Sequence, residues 1–502
     1  MATGSPTFIS GGWVRATSGR SCPSAPAKRA GGTTTGPSWR GSARCRTSPS
    51  RFCLSEHPRE AKFGKFFRCP LAMPAGGGLC PGGRRLGLLS WRQRNWHIDR
   101  TLPGEWHLGI IAMESPTRDA AWYRRAADDL APRIRQLRQE IERERTLPAA
   151  LVAAMTDAGF FSLWLSRAFG GPELNFTEFG RVIEELSRAD GSVGWCAMVA
   201  NTCSRLSGYI AQDAGHEIFR NGNSILAGSI NPTGKAVAVP GGFRVSGRWS
   251  YGSLIQHSHW TVGNSVVHDG ETPRRDGDGA LDIRFMIFPT ASAEIIDVWH
   301  VAGLRGTGSN DFQVRDLYVP EQHALSAFAA RPLHPGTLYA TPIITVFAAS
   351  IACVSIGIAR AAIDAFVALA AAKTPMGSAV RLRDKSMAQV AVGRAEALLR
   401  SGRAFLYDAV EEIWAEAAAG RLPTLHQRAI ARLAAAKAAE TSAEAVDLLF
   451  NAAGGTALFE STPLERCFRD VHATTQHIGT QAGNFELAGR VLLGLDPGTP
   501  RF

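Results

Sequence analysis

Apolar residues recur at helical spacing over 120–145, and Pro148 restarts a second such run through 158. Asn175 and Thr177 stand where a cap belongs for a helix over 179–188. Asp190 and Ser192 precede a charge-poor helix over 193–210, whose composition predicts burial on most sides. Near Ser224 the rhythm changes to short apolar runs over 225–230, 236–239, 243–251, 260–267, 283–288 and 312–319. These read as strands, with Pro240-Gly241-Gly242 as a hairpin turn. Long Ala-rich helical runs return over 343–372, 380–418, 424–452 and 463–493. The pattern predicts an α+β chain, mostly α. Its parts are an N-terminal helical domain over 113–223, a β-domain over 224–330 and a C-terminal four-helix bundle over 331–502.

Charge separates the first part of the chain from this body. Residues 1–112 hold 17 Lys and Arg against 4 Asp and Glu, leaving 38 basic and 40 acidic of the chain's 55 and 44. That basic, Gly/Pro/Ser-rich extension has no sustained period and reads as disordered, with Met113 as the expected natural start. It lacks the uninterrupted apolar run of a secretory signal, and the clustered basic and aromatic residues of a nucleic-acid binder. The run 343–359 is slightly short for a membrane span, carries Thr345, Ser350 and Ser355, and reads as a core bundle helix. Cys196, Cys203, Cys353 and Cys467 show no zinc spacing. No metal is expected, and a reducing cytoplasm suits them.

Candidate chemistry gathers in two stretches of the β-domain. Trp299-His-Val-Ala-Gly-Leu-Arg305-Gly306-Thr307-Gly308-Ser309 is a Gly-rich turn able to bring backbone N–H groups and hydroxyls against a polar aromatic or phosphate-bearing ligand. Gly247-Arg-Trp249-Ser-Tyr-Gly-Ser253 lies about fifty residues upstream.

Helical domain, β-domain and four-helix bundle in this order, with Gly454-Gly455, Pro463-Leu-Glu-Arg466 and Arg469-Asp470 in the bundle, resemble the acyl-CoA dehydrogenase superfamily over 113–502. Aligned from Arg469-Asp470, the catalytic Glu-Gly-Thr of those dehydrogenases falls on Ile478-Gly479-Thr480, and isoleucine cannot accept a proton. Residues 341–363 contain no Asp or Glu to replace it. Arg469-Asp-Val-His472-Ala-Thr-Thr-Gln-His477 instead resembles the group D flavin-dependent monooxygenases, such as the p-hydroxyphenylacetate and secosteroid hydroxylase oxygenase components. Gly228-Ser229-Ile-Asn-Pro232 and Gly241 to Trp249 resemble their flavin-facing strands.

The resemblance implies the oxygenase component of a two-component monooxygenase. It would take diffusible reduced FMN or FAD from a separate reductase and hydroxylate an aromatic or polycyclic small molecule with O2 through a C4a-hydroperoxyflavin. It places Ser253 at flavin N5 and Ser229 as a second hydroxyl. Trp249 would shield the ring, with Arg305, Gly306, Thr307 and Ser309 cradling it. Arg383, after Lys373-Thr-Pro375, would reach the flavin phosphates of a neighbour in a homotetramer. Trp195, Cys203 and His257 fall at substrate positions. Cys203 stands where the aromatic hydroxylases often carry His, and Leu254 where they usually carry Gly.

His477 is the candidate acid/base and His472 its competitor. On one continuous helix they would differ by roughly 140° in direction, so only one is expected to face a given pocket. An acyl-CoA dehydrogenase-type oxidoreductase or an N-oxygenase on the same scaffold is the alternative. A flavin-binding scaffold without activity is the non-enzymatic one. Neither nucleic acid nor a membrane is an expected partner.

Overall fold

The computed structural model describes residues 118–275, 279–326, 331–499 and 502. The expectations for 1–112 and for Met113 lie outside them. The first segment is helical, with α1 (Ala120–Glu144), α2 (Ala149–Asp157), α3 (Phe176–Ala189), α4 (Gly191–Ser204) and α5 (Gln212–Phe219). Helix α3 starts where the Asn175 side chain accepts the Glu178 N–H at 2.9 Å, and it buries Phe176, Phe179, Val182, Ile183 and Leu186 at three- and four-residue spacing. Asp190 ends that helix and caps the next, accepting the Ser192 and Val193 N–H groups at 3.0 and 3.3 Å. Gly194 lets α4 press on α3, since a Cβ there would lie 1.9 Å from the Ser187 hydroxyl. The helical run expected through 210 stops at Ser204 and tightens into a 3-10 turn, Arg205–Tyr209.

The β-domain is one sheet of β1 (Leu226–Val239), β2 (Gly242–Gly252), β3 (Trp260–Asp269), β4 (Thr272–Pro273), β5 (Ile283–Pro289), β6 (Glu294–Ile296), β7 (Asn310–Pro320) and β8 (Ala324–Ser326). The strand order is β6-β7-β2-β1-β3-β5-β8, with β4 paired to β3, and β1 runs parallel to β3 and antiparallel to β2. The two runs expected at 225–230 and 236–239 are one strand, irregular between Ser229 and Gly234. One sheet face packs Leu226, Trp260, Val262 and Ile287 on Phe169, Ile210 and Phe219.

The other face holds Trp249, and here an expectation is corrected. Its indole is fully buried, stacks on Phe312 at 5.2 Å and donates to the Asn264 carbonyl at 2.7 Å. Gly234, Gly247 and Gly263 leave room for the ring; a Cβ on any of them would come within 3 Å of it. Trp249 is therefore a sheet-core residue and not a wall of the ligand site.

The C-terminal helices are α6 (Thr337–Ala340), α7 (Ile343–Ala372), α8 (Ser386–Ala418), α9 (Leu425–Ala453), α10 (Pro463–Thr475) and α11 (Gly483–Leu492). Helix α7 has the length and apolarity to cross a membrane, but 83% of its most apolar window is buried within the fold. Its packing against α3, α8, α9 and α10 is that of a central bundle helix. The run expected as one helix over 463–493 is broken at 476–482, where the Thr480 hydroxyl donates to the Thr474 carbonyl at 2.7 Å and satisfies the helix end. Gly479 lies against α7, and a Cβ there would approach Ala348 to 3.1 Å.

Replacing Trp249 with Ala should lower unfolding free energy by about 3–5 kcal/mol, since the cavity left among three glycines cannot collapse. Denaturant midpoints check this. A loss of ligand affinity at unchanged stability would return Trp249 to the site.

Candidate active site

A cavity of about 920 Å³ opens where α4, the sheet, residues 299–309, the start of α7 and the broken end of α10 meet. Val199, Leu206, Val262, Phe285, Ile343 and Phe347 make much of its wall apolar. Trp195, Tyr251 and Trp299 add aromatic surface. The described cavity lining contains no Asp or Glu, and Ile478 lies at its edge, so no carboxylate is in place to abstract a proton from a thioester.

One wall carries a chain of buried hydroxyls. The Trp195 indole N–H donates to Ser253 Oγ at 3.0 Å, and Ser253 Oγ lies 2.7 Å from Ser309 Oγ. Ser309 Oγ lies 2.6 Å from Thr307 Oγ1, which donates to the Leu304 carbonyl at 2.9 Å. Ser229 lines the same cavity, its Oγ accepting the Asn231 N–H at 3.4 Å. The loop holding Thr307 and Ser309 turns through left-handed Leu304 (φ 52°) and Gly308 (φ 53°). Leu254 is left-handed too (φ 65°), in keeping with the glycine usual there. Its N–H ties to the Thr307 carbonyl at 2.9 Å while its side chain enters the helical core.

Asp470 fixes this loop to α10: its carboxylate accepts the Leu304 N–H at 2.6 Å. Burial and the nearby Asp190 push the Asp470 carboxyl up to about 7. Gly303 sits so close to α10 that a Cβ would meet the Arg469 carbonyl at 2.1 Å. Arg305 and Gly306, expected at the ligand, turn away from it. Arg305 pairs with Glu142 at 3.5 Å, and Gly306 gives α1 its close approach, a Cβ there falling 2.1 Å from Ile141.

Both candidate histidines line the cavity, contrary to the one-helix expectation. Helix α10 ends at Thr475, so helical geometry does not relate His472 to His477. Trp195 and Phe347 meet the His477 ring edge-to-face at 5.9 and 5.1 Å. Burial drives its pKa down to about 4. Its Nδ1 accepts the Gly479 N–H at 3.0 Å, which puts the proton of the neutral ring on Nε2. His472 is half-exposed at the rim, with Nε2 2.8 Å from the Asp447 carboxylate and Phe468 against its ring.

Among the expected substrate residues, Trp195 and Cys203 line the cavity and His257 does not. His257 lies in the turn between β2 and β3 with Nε2 3.1 Å from Thr146 Oγ1, and burial holds its imidazole below the usual range. Burial pushes the Cys203 thiol up to about 12, which makes it a small apolar wall rather than a nucleophile. Arg383 is exposed beside Asp384 at 3.8 Å, outside the cavity, and Lys373 ties to Ala453 O and Thr456 Oγ1 at 2.7 and 2.6 Å. Arg469 lines the cavity with its guanidinium shared among Glu142, Glu465 and the Ala302 carbonyl. Sequence reasoning did not single out Tyr251, Trp299, Phe347, Asp447 or Asp470 as site residues.

Residues 119–217 match the acyl-CoA dehydrogenase N-terminal domain family, and 349–482 match the acyl-CoA dehydrogenase C-terminal domain family. The indole-3-acetate monooxygenase of Pseudomonas putida is 32% identical over 366 residues, which span 71% of this chain and 90% of that one. The flavin-dependent monooxygenase oxygenase subunit HsaA of Mycobacterium tuberculosis is 31% identical over 392 residues, spanning 76% and 98%. The chain belongs to the flavin-dependent monooxygenases of the acyl-CoA dehydrogenase fold. The HsaA crystal structure superposes on this monooxygenase with a TM-score of 0.70 at 30% identity, covering 77% of this chain and all (100%) of that one. XiaF from Streptomyces, solved with FADH2 and glycerol, does so at 0.70 and 27%, covering 76% and 97%. The monooxygenase cavity suits a flat heteroaromatic cofactor: hydroxyls at one wall meet polar ring edges, while aromatic and aliphatic side chains cover ring faces.

Two buried groups in the monooxygenase site have opposite effects on stability against pH. His477 is lowered from roughly 6.5 in the unfolded chain, so its neutral form is fully accommodated above that pH and stability is lost as pH falls toward its folded value of about 4. Asp470 is raised from roughly 3.9, so its contribution is present at low pH and is lost as pH rises through about 7. Denaturation midpoints between pH 4 and 7 should therefore fall with rising pH more steeply in His477→Gln than in the parent. They should fall less steeply in Asp470→Asn. Equal slopes in all three proteins would contradict both shifts.

Proposed function

We propose that this chain is the oxygenase component of a two-component system that hydroxylates a neutral, largely apolar aromatic or polycyclic compound. The carrying observation is a cavity whose described lining holds hydroxyls, two histidines and much apolar surface but no Asp or Glu. Reduced flavin, when bound, activates O2 so that one oxygen atom can be transferred to an electron-rich ring. Ser229, Ser253, Thr307 and Ser309 would hold the polar ring edge, and the apolar wall would keep water away. A separate reductase would supply the reduced flavin, in keeping with the oxygenase-subunit name of HsaA. The FADH2 in XiaF favours FAD over FMN.

The two histidines divide the proton work. His477 is a neutral donor through Nε2 and cannot serve as the base while Gly479 occupies Nδ1. It can hydrogen-bond a phenolate or a departing oxygen. Asp447 keeps a proton on His472 Nε2 and leaves the Nδ1 lone pair basic, so His472 is the base for a phenolic substrate. The assignment favours neutral substrates because Arg469, the permanent cation in the cavity lining, is committed to two glutamates. An aryl carboxylate would enter without a counter-charge.

Assembly as a homotetramer is part of this reading. Exposed Met387 and Val390 share one stripe of α8 close after Arg383, supporting a subunit contact that brings Arg383 to a neighbour's flavin phosphates. The four described cysteines are free, which fits a reducing cytoplasm.

Mixing the reduced protein with O2 and a neutral polycyclic phenol should yield hydroxylated product in proportion to O2 consumed. Release of all the oxygen as hydrogen peroxide, or bleaching of oxidised flavin by acyl-CoA, would overturn the assignment. His472→Ala should slow hydroxylation about a hundredfold with flavin affinity retained, as expected for loss of a general base. Asp447→Asn should produce a smaller loss in the same direction.

A further inference from the structure

The hydroxyl chain has a fixed direction. Trp195 Nε1–H can only donate and the Leu304 carbonyl can only accept, and the three hydroxyls of Ser253, Ser309 and Thr307 lie between them in hydrogen-bond contact. A path that begins on an obligate donor and ends on an obligate acceptor is satisfied in one sense only: Trp195 to Ser253, Ser253 to Ser309, Ser309 to Thr307, Thr307 to Leu304. Each hydroxyl then spends its single proton inside the chain and keeps a lone pair. All three side chains are buried, so water offers no easy alternative partner.

Both ends are held by other elements. Asp470 grips the Leu304 N–H at 2.6 Å, and Trp299 Nε1 donates to the same Leu304 carbonyl at 3.2 Å. Trp195 is set by α4, against the His477 ring. Reversing the chain would leave the Ser253 proton without an acceptor inside it and strip the Leu304 carbonyl of the Thr307 hydroxyl.

We propose that this directed relay selects the redox state of the flavin, with Ser309 and Thr307 as specificity-determining residues that act through Ser253. The inference rests on the reading that reduced flavin docks with N5 at Ser253. Reduced flavin carries a hydrogen on N5 and presents a donor there, whereas oxidised flavin presents a lone pair. Ser253, its proton committed to Ser309, can only accept. It therefore matches the N–H of the reduced form and sets lone pair against lone pair in the oxidised form. An oxygenase fed by a reductase gains from this, since spent oxidised flavin is released to make room for fresh reduced flavin.

The test is the ratio of dissociation constants for oxidised and reduced flavin, measured anaerobically for the reduced form, together with the two-electron midpoint potential of the bound flavin. Ser309→Ala frees the Ser253 proton. It should tighten oxidised flavin relative to reduced by about fivefold, the size of one net hydrogen bond. The bound potential should fall by about 20 mV, at roughly 30 mV per tenfold for a two-electron couple. Thr307→Val, which lets Ser309 turn its proton back to Ser253, should act in the same direction. Ser309→Thr and Thr307→Ser keep the hydroxyls and should leave the ratio within twofold of the parent.

Ser253→Ala separates the two levels of the reading. If it moves neither affinity, flavin N5 does not meet Ser253 and the docking itself is wrong. If Ser253→Ala shifts the ratio while folded Ser309→Ala and Thr307→Val do not, the docking stands and the relay has no part in redox selection.

Discussion

A half-buried knot of charge holds the three segments of this protein to one another. Glu142 of α1 is shared by Arg469 at 2.7 Å, Arg466 at 3.2 Å and Arg305 at 3.5 Å, and Arg466 also reaches Asp190 at 3.2 Å. Asp470, next along α10, takes the Leu304 N–H. One helix of the first segment, one loop of the sheet and one helix of the bundle are thereby fastened at a single place. Such a knot contributes little net stability compared with an apolar core, since its members stay partly open to solvent screening. Its value lies in position: the loop carrying Thr307 and Ser309 is set against the cavity because its start is pinned to α10.

The chemistry of the cavity follows from what that arrangement leaves unoccupied. The scaffold of a thioester dehydrogenase keeps its glycine-threonine turn at 479–480 but puts Ile478 beside it, half-exposed at the cavity edge. The helix break at 476–482 then brings His477 inward on its own turn while His472 stays at the rim. Two imidazoles of different character result, one enclosed and neutral, the other solvated and paired with a carboxylate. The donor and the base proposed above are thus separated by environment rather than by residue type.

Much of this was legible in the chain. Helix caps at Asn175 and Asp190, the Gly-rich loop 299–309 and the switch from helical to alternating pattern near 224 all stand where local physics puts them. The misreadings have specific causes. Apolar spacing continues through 476–482, so nothing in the period announces the side-chain bond by which Thr480 closes α10. In a regular strand Trp249, Tyr251 and Ser253 would share a face. The shift in pairing between Trp249 and Gly252, with Tyr251 at φ 67°, reverses the alternation and sends the indole to the core while Ser253 meets the cavity. Asp447 sits on a different helix from His472, and no local spacing could have paired them. The short edge strands β4, β6 and β8 are too brief to leave a period.

The hydroxyl chain draws Trp195 from the helical segment, Ser253 from the end of β2, and Thr307 and Ser309 from the loop before β7, while its far anchor is carried by the bundle. No single segment owns the polar wall. A chimera that grafted the bundle or the helical segment of a relative, to change what the cavity admits, would also reset the registration of donors and acceptors along that wall. In this scaffold, recognition of the aromatic guest and handling of the electron carrier are inherited together, and exchanging whole segments cannot tune one without disturbing the other.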